Sequence, residues 1–206
     1  MVGTPEQEER PTGARELARQ AMRAQVAEMA LDLFLEKGYD RTTVDDICAV
    51  AGISRSTFFR YFPAKEDVFA SRNAGAGGEL LDALRRRPED EAPWTALGHA
   101  MEPLVASYSA GSERALRLAV LARATPALAA RHQEKMGRLL DLLVPEIARR
   151  LGADPLDATD PRPRALTSAA IGCIEAAVAA WIAGGGTRRL GPLLRRAMAS
   201  VAGEAP

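Results

Sequence analysis

The chain has 206 residues, of which 47% are hydrophobic and 26% charged, so it is long enough to bury a core and too apolar to be disordered throughout. Its 27 Lys and Arg residues balance 27 Asp and Glu residues, which leaves a formal net charge of zero. This balance argues against a histone-like or ribosomal protein, because such chains are basic throughout. Two distant cysteines, Cys48 and Cys173, do not make a disulfide framework and fit a reducing compartment.

The sequence favours a cytoplasmic protein with no membrane partner. No apolar run of the kind found in secretory signals occurs in the first 25 residues. One stretch, from Ala165 to Ala183, carries a single charge, Glu175, and has the length of a membrane span. It is mostly alanine with few large aliphatic side chains, which is typical of a tightly packed helix in a water-soluble protein.

Helical periodicity dominates after the acidic N-terminal end, and no alternating strand pattern is present, so the predicted fold class is all-α. Gly38 ends the first helix, Pro63 ends the third, and Pro145 predicts a kink or break near Val144. The predicted helices span residues 15–37, 43–51, 54 to 61 or 62, 79–87, 93–109, 112–123, 126–151, 161–183 and 192–202. A further helix is predicted to begin at residue 64 or 65.

A glycine-rich stretch, Gly75 to Gly78, loosens the helical pattern and marks the natural boundary between two domains. We predict an N-terminal three-helix domain over residues 15–70 and a larger helical bundle over residues 71–206. No internal repeat divides the chain further.

The most informative feature is the turn Gly52-Ile53-Ser54 between two short helices. Short helices joined by a glycine-containing turn are typical of the helix-turn-helix, whose second helix enters the major groove of DNA. Thr43 stands three residues before Asp46, a variant of the capping box, and Ser54 is placed to cap the second helix. These signals predict a DNA-binding domain.

The second short helix separates into an apolar and a basic side. Phe58 and Phe62 lie four residues apart and are predicted to be buried together. No acidic residue occurs from Gly52 through Lys65, so the outward side is locally basic. The basic residues suited to phosphates and base edges are Arg55, Arg60 and Lys65, with a second row of Arg15, Arg19 and Arg23 earlier in the chain.

Four stretches together resemble the TetR family of transcriptional regulators. They are FLEKGY at 34–39, TTVDDI at 42–47, AGIS at 51–54 and TFFRYFPAKEDV at 57–68, within a match over about residues 20–70. The resemblance implies a homodimer that binds a palindromic operator in double-stranded DNA and usually represses its promoter. It also implies that a small ligand in the C-terminal domain changes the spacing of the two DNA-binding domains.

The resemblance assigns roles to individual residues. It implies that Thr43 caps the second helix and contacts phosphate, and that Lys65 contacts phosphate from the start of the fourth helix. Phe59 stands where many members have Tyr, so this candidate lacks a hydroxyl for a phosphate hydrogen bond. The other candidates, which are expected to approach bases or backbone, are Arg55, Ser56, Thr57, Arg60 and Tyr61.

The sequence of the C-terminal bundle gives no sign of catalysis. His99 and His132 stand apart from cysteines and from paired carboxylates, and the glycines at 75–78 are not followed by the Lys-Ser/Thr of a phosphate-binding loop. We therefore expect no enzyme, no metal site and no cofactor.

Several residues of the bundle are candidates for an effector site. Trp94, Met101 and Tyr108 recur every seven residues on one helix and line either a core or a pocket, and Glu175 either pairs with an arginine or faces a pocket. The stretches 57–63 and 124–128 resemble a subgroup associated with acyl-CoA-type effectors, which implies a small hydrophobic effector. Its phosphates are expected near Arg114, Arg117 and Arg123. The candidate ligand-binding residues are Trp94, Met101, Tyr108, Arg117 and Glu175.

The nearly uncharged helix over residues 165–183 requires burial on almost every side. Its small residues let another helix approach closely, and a symmetric four-helix interface with the helix over residues 192–202 satisfies that requirement. Packing within one chain is the alternative.

Two other classes of function fit an all-helical chain. One is a ligand-binding protein or enzyme without DNA binding, and the other is a helical adaptor for protein interactions.

The distribution of charge refines the DNA-binding prediction, because residues 1–70 hold nine basic and twelve acidic side chains. Such a domain is expected to bind unrelated DNA weakly and to gain affinity from dimeric base readout.

Overall fold

The computed structural model describes residues 11–71, 75–108 and 113–203, and within these ranges the chain forms ten helices and no strand. The predicted all-α fold class is confirmed. The chain divides into two compact units between residues 72 and 73. The helices are α1 Pro11–Lys37, α2 Val44–Ala51, α3 Arg55–Tyr61, α4 Asp67–Ser71, α5 Ala76–Arg85, α6 Pro93–Tyr108, α7 Glu113–Ala124, α8 Pro126–Arg150, α9 Arg162–Ala183 and α10 Leu190–Ala202.

The first unit contains α1 to α4, and α1 packs against both α2 and α4. Helix α1 begins at Pro11, one turn earlier than predicted, since proline is tolerated in a first helical turn. The predicted burial of Phe58 in α3 and of Phe62, the C-cap residue directly after α3, is confirmed. The side chains that are almost completely buried in this unit include Leu31, Phe34, Ile47, Phe58, Phe62 and Val68.

Helix α4 begins at Asp67 and not at Ala64 or Lys65 as predicted. The carboxylate of Asp67 accepts a hydrogen bond of 2.8 Å from the backbone N–H of Ala64. This contact holds residues 64–66 in a turn, so the first unit contains a short fourth helix after the predicted three.

The helix-turn-helix turn has the local structure that its residues predict. Gly52 adopts the left-handed conformation with φ of 64°, and its N–H bonds the carbonyl oxygen of Cys48 at the end of α2. Ser54 caps α3 through its side chain, which accepts from the N–H of Thr57. A glycine is required at 52 because other residues are strained in this region of backbone space.

The second unit contains α5 to α10 around one apolar core, in which α9 packs against both α8 and α10. By length and composition α9 could cross a membrane, yet one side of it is buried in this core, where Trp181 and Cys173 are 2% and 3% exposed. The other core residues with no exposed surface include Leu84, Ala96, Leu97, Leu143, Ile147, Ala170 and Leu190.

Pro145 does not break α8, which runs without interruption from Pro126 to Arg150. Of the predicted kink or break, the break is wrong, because Pro145 lies on the solvent side of the helix. The carbonyl that loses its helical partner belongs to Asp141, four residues earlier, which is also exposed and open to water.

Replacing Gly52 with Ala should destabilise the first unit by about 1–2 kcal/mol, because a β-carbon in the left-handed region clashes with the following carbonyl oxygen. Guanidinium unfolding followed by circular dichroism measures the change. Gly13→Ala in α1 is the matched control, since a β-carbon at either glycine meets nothing within 4 Å and only Gly52 has a positive φ. Equal stability of the two variants would contradict the left-handed conformation assigned to Gly52.

Candidate nucleic-acid interface

The start of α2 is held by a complete capping box. The hydroxyl of Thr43 accepts from the N–H of Asp46 at 3.1 Å, and the N–H of Thr43 donates to the Asp46 carboxylate at 2.8 Å. Lys37 pairs with the same carboxylate at 3.0 Å. The hydrogen bonds from Thr43, followed by the contact with Lys37, hold the pKa of Asp46 well below its ordinary value. Thr43, a predicted DNA-binding residue, is thus fixed at the edge of the motif.

The first turn of the recognition helix α3 carries a set of linked hydroxyls. The Ser54 hydroxyl accepts from the N–H of Thr57 at 3.1 Å and lies 2.9 Å from the hydroxyl of Ser56. Ser56 is exposed and Thr57 is half-buried. Two predicted DNA-binding residues therefore meet at the cap of α3.

The outward side of α3 combines aromatic and basic side chains. Phe59 is 43% exposed and packs its ring edge-on against buried Phe58, with centroids 5.4 Å apart. Arg60 is exposed and its guanidinium lies 5.4 Å from the ring centroid of Tyr61. Phe59 thus offers an apolar surface beside Arg60.

Arg55, the first residue of α3, forms an ion pair that the sequence analysis missed. Its Nη1 donates to the Asp45 carboxylate at 2.6 Å, and its guanidinium carbon lies 5.8 Å from the Phe59 ring centroid. Asp45 belongs to α2 and precedes the acid-free stretch that begins at Gly52. The basic surface is therefore partly neutralised in the folded protein.

Lys65 makes internal contacts between the α1–α2 turn and the residues before α4. Its ammonium donates to the carbonyl oxygens of Tyr39 and Thr42, each at 2.8 Å, and lies 4.0 Å from the centroid of the Tyr39 ring. The Tyr39 hydroxyl in turn donates to Glu66 at 3.2 Å. Two of the three N–H groups of Lys65 thus have partners within the protein.

The second predicted basic row lies on α1. Arg15 and Arg19 are exposed, whereas Arg23 is half-buried with its guanidinium 5.6 Å from the ring centroid of Phe62. Arg23 therefore packs against the C-cap residue of α3, and the row is not uniformly open to solvent.

The candidate ligand-binding residues occupy different environments in the second unit. Met101 is 1% exposed within the core, Trp94 packs against that core, and Arg117 is exposed. The side chain of Tyr108 lies outside the described part of the structure.

Glu175 lies in a polar cluster between α7, α8 and α9. Its carboxylate is 2.7 Å from His132 Nε2 and 3.9 Å from Arg123. The hydrogen bond with His132, with the charges of His132 and Arg123, holds the pKa of Glu175 below its ordinary value. His132 looked isolated in the sequence because the two residues lie 43 positions apart. Within the described ranges, no group of three or more His, Cys, Asp or Glu residues suits a metal ion.

Comparison with known families covers both units. A family model described as bacterial regulatory proteins, tetR family, matches residues 27–71, and one described as MftR C-terminal domain matches residues 91–206, more than half of the chain. The chain belongs to the TetR family. It is accordingly a ligand-responsive, DNA-binding transcriptional regulator.

Individual relatives agree with this assignment. The chain is 33% identical over 158 residues to the HTH-type transcriptional regulator TcmR of Streptomyces glaucescens, a match that covers 74% of this chain and 69% of TcmR. Thermus thermophilus FadR, a TetR family repressor solved with lauroyl-CoA, matches with a TM-score of 0.58 at 23% identity. The match covers 87% of this chain and 93% of the FadR chain. The SmeT–triclosan complex has a TM-score of 0.62 at 20% identity, with coverage of 87% and 91%. These two structures share the fold.

Asp46→Asn should weaken this TetR family domain at neutral pH, and the difference from the wild type should shrink as the pH falls. The pKa of Asp46 is depressed in the folded state, so its ionised form stabilises the fold above the unfolded pKa of about 3.9. That contribution is lost as the pH falls through the folded pKa. Guanidinium unfolding of both proteins at pH 7, 4 and 2.5 measures it. A difference that stays constant with pH would show that the charge of Asp46 does not stabilise the cap.

Proposed function

We propose that this TetR family regulator represses transcription in the cytoplasm, binds a palindromic operator as a homodimer and is released by a small hydrophobic effector. The observation that carries the proposal is the capped helix-turn-helix, in which Phe58 of α3 and its C-cap Phe62 are buried and Arg55 occupies the exposed first position of α3. The N-terminal residues of a recognition helix are those that reach base edges in the major groove.

The contacts with DNA divide into base readout and backbone positioning. Arg55 reads a guanine through O6 and N7, and Phe59 contacts a thymine methyl, since its exposed ring lacks a hydroxyl. Thr43 and Lys65 contact phosphates, and one N–H of Lys65 is available for this because its contacts with Tyr39 and Thr42 use two. Further contacts to bases or backbone come from Ser56, Thr57, Arg60 and Tyr61.

Arg55→Ala should cost about 1–3 kcal/mol of operator binding and relax the preference at one base pair in each half-site. The operator is obtained by selection from random duplexes, and each guanine is then replaced by 7-deazaguanine, which lacks the N7 acceptor. One replacement should weaken the wild type and leave Arg55→Ala unaffected. Equal weakening of the variant on operator and unrelated DNA would show that Arg55 contacts only phosphate.

The exposed side of α9 supports the proposal of a dimer. It carries small residues at helical spacing, including Ala165, Gly172, Ala176 and Ala180, all of which are exposed in the single chain. A second α9 can approach such a surface closely, and α10 packs beside α9 to complete a four-helix interface.

Gly172→Arg should convert the dimer to a monomer without unfolding it, because a β-carbon at Gly172 meets nothing within 4 Å in the chain. Analytical ultracentrifugation at micromolar concentration gives the mass, and circular dichroism verifies the fold. The control is Gly137→Arg on α8, which is also exposed with nothing within 4 Å and should remain dimeric. A wild-type mass of one chain would contradict the proposed dimer.

The effector is proposed to be acyl-CoA-like and to bind the second unit. Support comes from the motif resemblance, from the fold shared with FadR bound to lauroyl-CoA and SmeT bound to triclosan, and from the polar cluster around Glu175. Trp94, Tyr108, Arg117 and Glu175 remain the candidate contacts. Met101, which is almost fully buried, acts through the packing around the site.

A mobility-shift assay with the DNA upstream of the protein's own gene tests the proposal. The protein should retard this fragment and not a shuffled fragment, and an acyl-CoA ester should release it at concentrations where free CoA does not. An unshifted upstream fragment, with no duplex enriched in a selection, would instead favour a ligand-binding protein or enzyme without DNA binding. Retardation that acyl-CoA esters and triclosan leave unchanged would contradict the proposed effector class.

A further inference from the structure

An exposed ion pair joins the two helices of the helix-turn-helix. Arg55 Nη1 donates to Asp45 at 2.6 Å, and the side chains of Arg55 and Asp45 are 60% and 67% exposed. Exposed pairs add little to stability, because water screens the attraction and two long side chains lose freedom. The main consequence of this pair is its effect on the charge at the start of α3.

The two adjacent aspartates of α2 have different partners. Asp46 completes the capping box with Thr43 and pairs with Lys37. Asp45 contacts Arg55 and, in the part of the chain that the structure describes, has no second hydrogen bond or ion pair. The charge of Asp45 can therefore be removed without taking the cap from α2.

The pair leaves Arg55 able to read a base while it stays bound to Asp45. A guanidinium has five N–H donors, and the described contacts of Arg55 use Nη1 alone, with the Phe59 ring beside the group. The edge formed by Nε and Nη2 can donate to both O6 and N7 of a guanine, because those two acceptors are arranged for a bidentate arginine. Asp45 thus fixes one side of the guanidinium and leaves the other for a base.

The same carboxylate opposes contact with phosphate. A phosphate that approached Arg55 would lie near the negative charge of Asp45, whereas the edge of a guanine carries no net charge. The Asp45 carboxylate lies 2.6 Å from Arg55 Nη1, so its negative charge offsets the positive charge of the guanidinium that a phosphate would approach. Asp45 therefore weakens the attraction that all DNA sequences share.

We propose that Asp45 determines the sequence specificity of DNA binding, by orienting Arg55 toward a guanine and by repelling phosphates from it. This inference rests on the DNA-binding function proposed above. It assigns a role in recognition to an acidic residue of α2 that lies outside the predicted set of DNA-binding residues.

Asp45→Asn tests the proposal, because it removes the charge and keeps the shape. The probes are a duplex selected from a random library by the wild type and a shuffled duplex of the same length, each titrated at several salt concentrations. We expect the variant to bind the shuffled duplex roughly fivefold more tightly, with a salt slope steeper by about 1.8, because each of the two subunits of the proposed dimer adds about 0.9. The ratio of selected to shuffled affinity should fall about fivefold. Asp45→Glu, which restores the charge, should recover most of that ratio.

Two comparisons distinguish this role from a general effect of charge. Asp40→Asn removes the same charge from an exposed position in the turn after α1 that is not a partner of Arg55, and it should leave the ratio unchanged. In an Arg55→Ala background, Asp45→Asn should not change the ratio further. An equal loss of specificity for Asp40→Asn and Asp45→Asn, or a loss that persists without Arg55, would overturn the proposal.

Different results would contradict the DNA-binding function and the role of Asp45. If the wild type enriches no duplex from the library, the proposed DNA-binding function is wrong and the role of Asp45 falls with it. If the wild type selects an operator and Asp45→Asn discriminates equally well, the role of Asp45 alone is wrong.

Discussion

The burial of Phe58 and Phe62 is the constraint on which the position of the recognition helix depends. Both rings are completely buried, with centroids 5.3 Å apart, so one side of α3 belongs to the core and the opposite side faces outward. Helix α3 has only seven residues, too few to be stable by propensity alone. The left-handed turn at Gly52 and the Ser54 cap fix where it begins. Packing and capping together therefore set the position of Arg55 at the exposed start of α3.

Two basic side chains of the helix-turn-helix surface, Arg55 and Lys65, are held by partners within the protein. Arg55 is held by Asp45, and Lys65 by two backbone carbonyl oxygens. The net charge of zero at first argued against a partner made of phosphates. In the folded protein, the ion pair between Asp45 and Arg55 removes part of the attraction that this surface has for DNA of any sequence. We propose that affinity comes from the match between particular side chains and particular bases, repeated in the second half of a symmetric dimer.

Sequence patterns predicted contacts between residues close together in the chain and missed ion pairs between residues far apart in it. The caps at Thr43 and Ser54 and the buried Phe58 and Phe62 follow from spacings of three and four residues, which helical geometry converts directly into contacts. Arg55 finds its acidic partner 10 positions away, and Glu175 finds His132 43 positions away. Such pairs depend on how helices pack, which no short pattern encodes. The break expected at Pro145 failed for a related reason, since only the fold shows that its freed carbonyl faces water.

In the proposed mode of binding, base readout, and not bulk electrostatic attraction, supplies the affinity for DNA. Its most direct test is the binding constant of the wild type for a selected operator and for a shuffled duplex, each measured across salt concentration. We expect the affinity for the operator to exceed the affinity for the shuffled duplex by at least about 10³ at physiological salt. Binding to the shuffled duplex should be weak and should change little with salt concentration. Comparable affinities for the two duplexes, falling together and steeply with salt, would contradict it.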